Sequence, residues 1–344
     1  MTEHLARPAG PMIVAEISGN HNGSLDRALD IVRAVADAGA HAVKLQTYTA
    51  DTITLDVDTP AFRLSAGHEL WGSRRLYELY QEAYTPWEWH KPVFDLANEL
   101  GLVAFSTPFD ETAVEFLESL DVPLYKIASL EIVDLPLIKQ VAQTGKPMII
   151  SVGTASIGEV AAAVESARSG GATDITLLAC TSSYPALPDD ANLLRMPTMA
   201  QMFDVKVGLS DHTMGIGVSV AAAALGATVI EKHVTLRRAD GGVDSAFSLE
   251  PEELAQLVSE CDAAVRALGS ASQWASAAEN ESLRLRPSLY VSASVTAGDI
   301  VTHENVRSVR PAGGLAPVEI DRVIGRRFTG DTTMGTPVNW DLFS

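Results

Sequence analysis

Short apolar runs alternate with longer stretches of helical periodicity from residue 11 to about residue 268 of the 344-residue chain. A run of four to eight apolar residues predicts a buried strand, and apolar residues at every third or fourth position predict an amphipathic helix. Residues 24–40, SLDRALDIVRAVADAGA, show the helical pattern, and Ser24 is a candidate N-cap. The strand candidates are PMIVAEIS, HAVKLQTY, LVAFSTP, LYKIAS, PMIISVG, ITLLACTS, KVGLSDH and VIEKHV.

This order of elements predicts the fold class. Strands that alternate with helices are parallel strands joined by helical crossovers. About eight such units favour a closed (β/α)8 barrel, the TIM barrel, over a doubly wound sheet. Residues 49–85 form a long excursion after the second strand, which is typical of an active-site loop. We therefore predict an α/β barrel domain over residues 1–269.

The pattern changes after residue 269. Residues 270–287 are polar and rich in small side chains, which indicates a linker. Residues 288–344 hold short strand-like pieces separated by turn residues. They predict a small, mostly β domain, which at this size needs support from the barrel or from a partner chain.

The last strand candidate continues as VIEKHVTL, residues 229–236, and carries charges where a strand buried on both faces is normally apolar. Side chains alternate across a strand, so Glu231 and His233 share one face and Lys232 lies on the other. We expect the face with the imidazole to point into the mouth of the barrel.

Polar residues end every one of the strand candidates. The C-terminal strand ends and the loops after them hold the active site of a TIM barrel. A single polar strand end usually marks only the exit into solvent, but eight that converge on one mouth predict a pocket. Its candidate residues are Glu16, Lys44, Gln46, Ser106, Thr107, Lys126, Ser129, Glu131, Ser151, Thr181, Ser182, Ser183, Ser210, His212, Glu231 and His233.

Two lysines in this set suit an anionic ligand. Lys44 and Lys126 offer compact positive charges, and nearby hydroxyls offer hydrogen bonds, which together can surround a phosphate. Either lysine taken alone is more simply a solvated cation. The hydroxyls are those of Ser129, Ser151 and Ser210.

His212 and His233 lie 21 residues apart, one βα unit, at equivalent heights on neighbouring strand ends. A lone buried histidine is more often structural than metal-bound, but this pair leaves a divalent transition-metal site open as well. Glu16 is the remaining carboxylate on an apolar strand at the mouth. It is either a base or water-holding group, or the partner of a neighbouring lysine in a salt bridge.

The composition of the chain limits the cellular compartments and the binding partners that we expect for the protein. The chain has 44 acidic residues against 25 Lys plus Arg, a formal net charge of -19, which argues against nucleic acid and anionic membranes as partners. No apolar run approaches the roughly 20 residues that cross a bilayer. No signal peptide is visible, and Cys180 and Cys261 show no disulfide spacing. We expect a cytoplasmic protein.

The quoted stretches, taken in order, resemble the sialic acid synthase family and, within it, the pseudaminic acid synthases. The C-terminal segments RPSLYV, NVRSVRP and GTPVNWDL resemble the antifreeze-like (SAF, β-clip) domain that closes these enzymes. DGGVDSAFSLEPEE and Ser182, where N-acetylneuraminate synthases usually carry Asn, favour the pseudaminate branch. The other segments that carry the resemblance are IVAEISGNHNGS, AVKLQTYTADTITL, FSTPFD, YKIAS, CTSSYP, GLSDHTMGI and VIEKHVTL.

The resemblance implies a reaction. Phosphoenolpyruvate condenses with an N-acylated amino-sugar aldehyde, here a 2,4-diacetamido-2,4,6-trideoxyhexose of the L-altrose type. Water supplies the new C2 oxygen, and phosphate leaves by C–O cleavage. Two alternatives remain: synthesis of legionaminate or N-acetylneuraminate by the same chemistry, and a non-catalytic carbohydrate-binding protein.

The resemblance also implies roles for residues. His212 and His233 would hold a divalent ion, typically Mn²⁺, with Mg²⁺ and Co²⁺ also possible, and Glu16 would lie near the reacting carbons. Arg310 would be carried by the small domain into the partner's barrel in a domain-swapped homodimer. Phosphoenolpyruvate contacts are implied for Lys44, Thr107, Lys126, Ser129, Ser151 and Ser210, and further substrate contacts for Glu131, Ser182, Tyr184 and Asp244.

Overall fold

The computed structural model describes residues 10–64, 72–272 and 276–344. The chain divides into two compact units, Met1–Leu268 and Gly269–Ser344. Parts of three predicted segments lie outside the described residues: the N-terminal stretch 1–9, residues 65–71 of the long loop, and residues 273–275 of the predicted linker.

The first unit is a closed barrel of parallel strands. Each strand pairs with the next one along the chain, and the first pairs with the eighth, which closes the barrel. The predicted (β/α)8 fold is confirmed. The strands are β1 Met12–Glu16, β2 Ala42–Thr47, β3 Val103–Pro108, β4 Tyr125–Ile127, β5 Met148–Ser151, β6 Ile175–Cys180, β7 Lys206–Asp211 and β8 Val229–His233.

Helices connect these strands and pack around them. The predicted cap of the first helix is present, since the Ser24 hydroxyl accepts a hydrogen bond from the Arg27 amide at 3.3 Å. The predicted long loop after β2 contains two helices, Ala50–Ile53 and Leu76–Ala83. In chain order the helices are α1 Leu25–Asp37, α2 Ala50–Ile53, α3 Leu76–Ala83, α4 His90–Glu99, α5 Glu111–Ser119, α6 Leu135–Gln143, α7 Ile157–Ser169, α8 Arg195–Phe203, α9 Gly217–Ala224 and α10 Pro251–Ala267.

Alternation along the strands produces two separate apolar cores. Outward residues such as Ile13, Val43 and Leu209 pack against the helices. Inward residues form a second cluster within the barrel, which comprises Val14, Ala42, Phe105, Leu124, Ile149, Leu178 and Val229. The barrel is therefore filled by side chains and is not a pore.

A polar layer lies directly above this inner apolar layer. Because side chains repeat their direction every two residues, the position two residues after each inner apolar residue also points inward. On every strand that position is polar or a thiol. The layer consists of Glu16, Lys44, Thr107, Lys126, Ser151, Cys180, Ser210 and Glu231.

The second unit is built on a small antiparallel sheet. β9 Ser288–Val291 pairs with β10 Val306–Val309, and isolated bridges such as Val295 with Thr332 add further antiparallel pairing. An apolar core that includes Phe328 and Phe343 supports the sheet. Two short helices complete the unit, α11 Asn280–Leu283 and α12 Ile320–Val323.

The predicted linker is not fully extended, since α11 lies within residues 270–287. The boundaries 1–269, 270–287 and 288–344 stay a prediction. Across the part of the chain that the structure describes, no helix combines the length and apolar character needed to span a membrane.

Gly208 on β7 completes the inner apolar layer, and we predict that Gly208→Ala destabilises the barrel. A Cβ at this position would lie 2.2 Å from the Val229 carbonyl oxygen and 2.7 Å from a Leu178 methyl carbon. Overpacking of this kind costs about 1–3 kcal/mol, so the urea midpoint should fall. The matched control is Gly217→Ala, where a Cβ meets nothing within 4 Å. Equal midpoints for the two variants would contradict the prediction.

Candidate active site

Glu16 and Lys44 form a buried ion pair at the top of the barrel. The two residues are register partners on β1 and β2, and Lys44 Nζ contacts Glu16 Oε2. Lys44 also donates to Thr107 Oγ1 at 3.0 Å, and the Ser18 amide donates to Glu16 Oε1 at 2.9 Å. The salt bridge considered for Glu16 from sequence is thus present, and it fixes the carboxylate within the predicted pocket.

Glu231 extends this pair into a row of alternating charges. Its carboxylate oxygens lie 3.9 Å from Lys44 Nζ and 3.8 Å from Lys126 Nζ, and Ser210 Oγ donates to it at 3.1 Å. The order of charges is therefore Glu16, Lys44, Glu231, Lys126. The sequence placed Glu231 at the mouth beside His233 but assigned it no role. Alternation along β8 indicates only that Glu231 points inward with His233, and the sequence does not show which lysines it meets.

Burial and mutual charge set the protonation of this row. Desolvation raises the pKa of Glu16 in spite of Lys44. Burial alone would raise the pKa of Glu231 too, but Lys126 and Lys44 hold it below its ordinary value. Burial lowers the pKa of Lys126, whereas Glu16 and Glu231 overcome burial and raise the pKa of Lys44. The pKa values of the two glutamates are thus shifted in opposite directions within one site: that of Glu16 is raised and that of Glu231 is lowered.

Two of the hydroxyls predicted to bind phosphate, those of Ser129 and Ser151, lie at the C-terminal ends of β4 and β5. Ser151 Oγ is buried and has no hydrogen-bond partner among the described residues, which is costly unless a ligand supplies one. The Gly153 amide donates to Ser129 Oγ at 3.1 Å. A Cβ on Gly153 would lie 2.7 Å from Ser129 Oγ and 2.2 Å from Ser182 Oγ. Ser129 and Ser182 therefore converge on a glycine that leaves them room.

His212 and His233 lie side by side one step above the lysines. Their ring centroids are 5.3 Å apart. His212 Nδ1 lies 2.9 Å from the Thr181 carbonyl oxygen, so that nitrogen donates and Nε2 is the candidate metal ligand. Burial opposes the charged form of His212, but Cys180 and the Thr181 carbonyl outweigh burial and raise its pKa. Burial, reinforced by His212 and Lys44, lowers the pKa of His233 well below its usual range. Its ring is therefore neutral, and its buried Nδ1 finds no hydrogen-bond partner among the described side chains and backbone groups.

These two rings fit a divalent metal ion with open positions. Neutral imidazole is a good ligand for such ions, and a backbone carbonyl that orients the second nitrogen is the usual support for it. Within residues 10–64, 72–272 and 276–344, no cluster of three or more His, Cys, Asp or Glu side chains has metal-binding geometry. An ion held here would have two protein ligands, and the others would come from water or substrate.

Aromatic and carboxylate groups surround the histidine pair. Tyr184 packs on His212 with centroids 4.4 Å apart, and Phe247 packs on His233 at 5.0 Å. Asp244 Oδ2 lies 3.9 Å from His233 Nδ1 and accepts a hydrogen bond from Ser18 Oγ at 2.5 Å. Tyr184 and Asp244, which the family resemblance implies as substrate contacts, thus lie next to the predicted metal ligands, and their contact with substrate stays a prediction.

Two predicted residues stand apart from these contacts. Glu131 lies in the 3-10 turn Leu130–Val133 after β4, and burial raises its pKa to about 6. Arg310 is exposed and follows β10 in the second unit. Its delivery into a partner's barrel stays a prediction.

Comparison with known proteins places this site in a family. The model of the NeuB family matches residues 31–273. The chain belongs to the NeuB family. A SAF domain matches residues 286–344, so the family and the C-terminal domain type predicted from the motifs are both confirmed.

Individual relatives agree with this assignment along almost the whole chain. A pseudaminic acid synthase of Helicobacter pylori is 42% identical over 332 residues, 96% of this chain and 97% of the relative. An N,N′-diacetyllegionaminic acid synthase of Legionella pneumophila is 37% identical over 337 residues, 96% and 93% of the two chains. The crystal structure of an N-acetylneuraminic acid synthetase from Leptospira borgpetersenii in complex with citrate is 32% identical, with a TM-score of 0.69, and the match covers 80% of this chain and 90% of that one.

Proposed function

We propose that this chain is a pseudaminic acid synthase. It condenses phosphoenolpyruvate with 2,4-diacetamido-2,4,6-trideoxy-L-altrose and water, and it releases pseudaminic acid and phosphate. The observation that carries the proposal is the row Glu16, Lys44, Glu231, Lys126 directly below two histidines at the mouth of a NeuB-family barrel. The 42% identity to the Helicobacter pylori enzyme supports the choice of product.

Phosphoenolpyruvate binds at the two lysines. Its carboxylate and phosphate need several positive charges and donors in a dry site, and buried ammonium groups supply the strongest such contacts. Lys44 and Lys126 are both almost fully buried, at 3% and 2% exposed, so their charges are little screened by water. The supporting hydroxyls are those of Thr107, Ser129, Ser151, Ser182 and Ser210.

His212 and His233 hold a divalent metal ion, Mn²⁺ by preference, with Mg²⁺ and Co²⁺ as alternatives. When bound, the ion supplies Lewis-acid polarisation of the sugar's aldehyde oxygen. The chain orients the sugar with three side chains: Tyr184 packs beside His212, Asp244 lies beside His233, and Glu131 adds a carboxylate whose pKa burial raises to about 6.

Glu16 holds the water that adds to C2. Its carboxylate is fixed by the Ser18 amide and by Lys44, and it directly neighbours His233 in the strand register. It is therefore anchored between the phosphoenolpyruvate site and the sugar site. Burial raises its pKa, which makes it a stronger proton acceptor than an exposed glutamate.

The active unit is a domain-swapped homodimer in the cytoplasm. Arg310 of the SAF domain reaches the sugar in the partner's barrel, where its planar fork of donors suits the oxygens of the substrate. The exposure of Arg310 in its own unit leaves it available for this contact.

A second candidate function is synthesis of legionaminic acid, which the 37% identity to the Legionella pneumophila synthase favours. Only the sugar differs between the two reactions, so the anion site and the histidines have the same roles in both. A carbohydrate-binding protein without catalysis has no need for buried lysines beside paired histidines.

The substrate is tested by phosphate release from phosphoenolpyruvate with each candidate sugar. We expect turnover with the L-altrose-type hexose, and much slower turnover with its diastereomer of the D-mannose type and with N-acetylmannosamine. Turnover should stop when the metal is chelated or when His212 is replaced by alanine. Faster release with the diastereomer of the D-mannose type would select the legionaminate alternative, and faster release with N-acetylmannosamine would select the N-acetylneuraminate alternative. No release with any sugar would overturn the proposal.

Lys126→Met should raise KM for phosphoenolpyruvate far more than KM for the sugar. A hydrogen bond to a charged group contributes about 1.5–3 kcal/mol, so its loss weakens phosphoenolpyruvate binding on the order of 10- to 100-fold. Steady-state kinetics with each substrate varied in turn measures the split. The control is Lys91→Met, whose ammonium pairs with Asp95 on the exposed face of α4 and should leave both constants unchanged. An unchanged KM for phosphoenolpyruvate would place Lys126 away from the anion.

Mixing Arg310→Ala protein with His233→Ala protein should restore activity. In a hybrid dimer one site combines an intact barrel with an intact arginine, so random exchange gives about a quarter of the wild-type rate. Subunits are exchanged by unfolding and refolding the mixture. Each variant alone, treated in the same way, is the control. Absence of rescue in mixtures that exchange subunits, as shown by mass measurement of a tagged chain, would rule out delivery of Arg310 in trans.

A further inference from the structure

Two opposite charges lie on the outer faces of neighbouring barrel strands. The outward positions of the eight strands are otherwise neutral, and Asp211 on β7 and Lys232 on β8 are the exceptions. The two residues are direct register partners, both side chains are 0% exposed, and Lys232 Nζ lies 2.9 Å from Asp211 Oδ2. The pair faces away from the site described above, so it does not touch a ligand held there.

Lys232 binds the chain on both sides of His212. Its ammonium donates to the Asp211 carboxylate and to the carbonyl oxygen of Thr213. Lys232 also immediately precedes His233 on β8. One buried cation therefore connects the neighbours of both histidines.

Asp211 closes the same turn from the other direction. Its Oδ1 accepts from the Thr213 amide at 2.8 Å and from the Thr213 hydroxyl at 2.7 Å. Its Oδ2 accepts from Ser219 Oγ at 2.6 Å, which ties the first turn of α9 to the network, as well as from Lys232. Every contact of this carboxylate thus restrains the backbone that carries His212.

We propose that Asp211 and Lys232 are positioning residues that set the separation and orientation of the His212 and His233 rings. The inference rests on the proposed function, in which these two rings share one metal ion. A buried ion pair is expensive to desolvate and contributes little net stability, so stability alone does not account for it. Two apolar side chains in the same positions would form no directional hydrogen bonds to the Thr213 carbonyl, amide or hydroxyl.

A site with only two protein ligands depends strongly on such restraint. A metal ligand has to be held within about 0.5 Å and 10–20° of its productive geometry. His212 lies one residue beyond the end of β7, where the continuous ladder stops and an isolated bridge between Ala186 and Thr213 remains. The network around Thr213 adds side-chain restraints to that single bridge.

The decisive variant is Asp211→Leu/Lys232→Met, in which the charge pair becomes apolar and no charge is left unpaired. We expect the full-length double variant to fold with a lower thermal midpoint, because buried groups of Thr213 and Ser219 lose their hydrogen bonds. Its Mn²⁺ affinity measured without substrates should fall about 10- to 100-fold, as for other residues that orient metal ligands. With Mn²⁺ at saturation, kcat should also fall, with KM for phosphoenolpyruvate unchanged. The control is Asp174→Leu/Lys206→Met, which removes an exposed ion pair at 2.9 Å and should leave Mn²⁺ affinity as it is.

A second variant covers the case in which the double variant does not fold. Thr213→Val is nearly isosteric and removes only the hydroxyl bond to Asp211. It should lower Mn²⁺ affinity several-fold in the same direction, and Thr213→Ser should restore it. Affinity equal to wild type in a folded double variant, or in Thr213→Val when the double variant is unfolded, would overturn the positioning role.

A further variant distinguishes an error in the proposed metal site from an error in the positioning role. His212→Ala should abolish Mn²⁺ binding in the otherwise unchanged chain. If Mn²⁺ binds equally well to wild type and His212→Ala, the proposed metal site is wrong and the positioning role falls with it. If binding depends on His212 but not on the charge pair, only the positioning role is wrong.

Discussion

Four charges that neutralise one another inside the barrel are the constraint on which the rest of the site depends. Neither lysine can remain charged in so dry a place without the carboxylates, and Glu231 is shared between both ammonium groups. This mutual support keeps a strong anion-binding potential ready before any ligand arrives. An anion then meets charges and donors that are already aligned, so little reorganisation is needed on binding.

The barrel supplies this arrangement through its stagger. Glu16 is the register partner of both Lys44 and His233 because β1 pairs with β2 on one side and with β8 on the other. Lys44 is 28 positions and His233 is 217 positions from Glu16 in the sequence, yet both become its immediate neighbours. The row of charges follows from closure of the sheet, and an open sheet of the same strands would leave its two ends far apart.

Local patterns predicted the strands, and the two-residue alternation correctly separated Lys232 from Glu231 and His233. The role of Glu231 was missed because its lysine partners lie on β2 and β4, and the sequence does not show which inward residues meet across a barrel. The same limit hid Asp211 as the partner of Lys232. For Glu16 the sequence left a base and a salt bridge open, and the ion pair with Lys44 was found. Arg310 was predicted from family resemblance alone, since its proposed contact lies in another chain.

The apolar layer formed by Val14, Phe105, Leu178 and their neighbours seals the barrel beneath the lysines. Ligands therefore enter and leave the site through the same open end of the barrel. A ligand seated against Lys44 and Lys126 lies deeper than one held at the histidines, so the deeper ligand has to enter first. A ligand bound at the histidines then blocks the only exit from the space at Lys44 and Lys126. The deeper ligand cannot dissociate until the upper one has left.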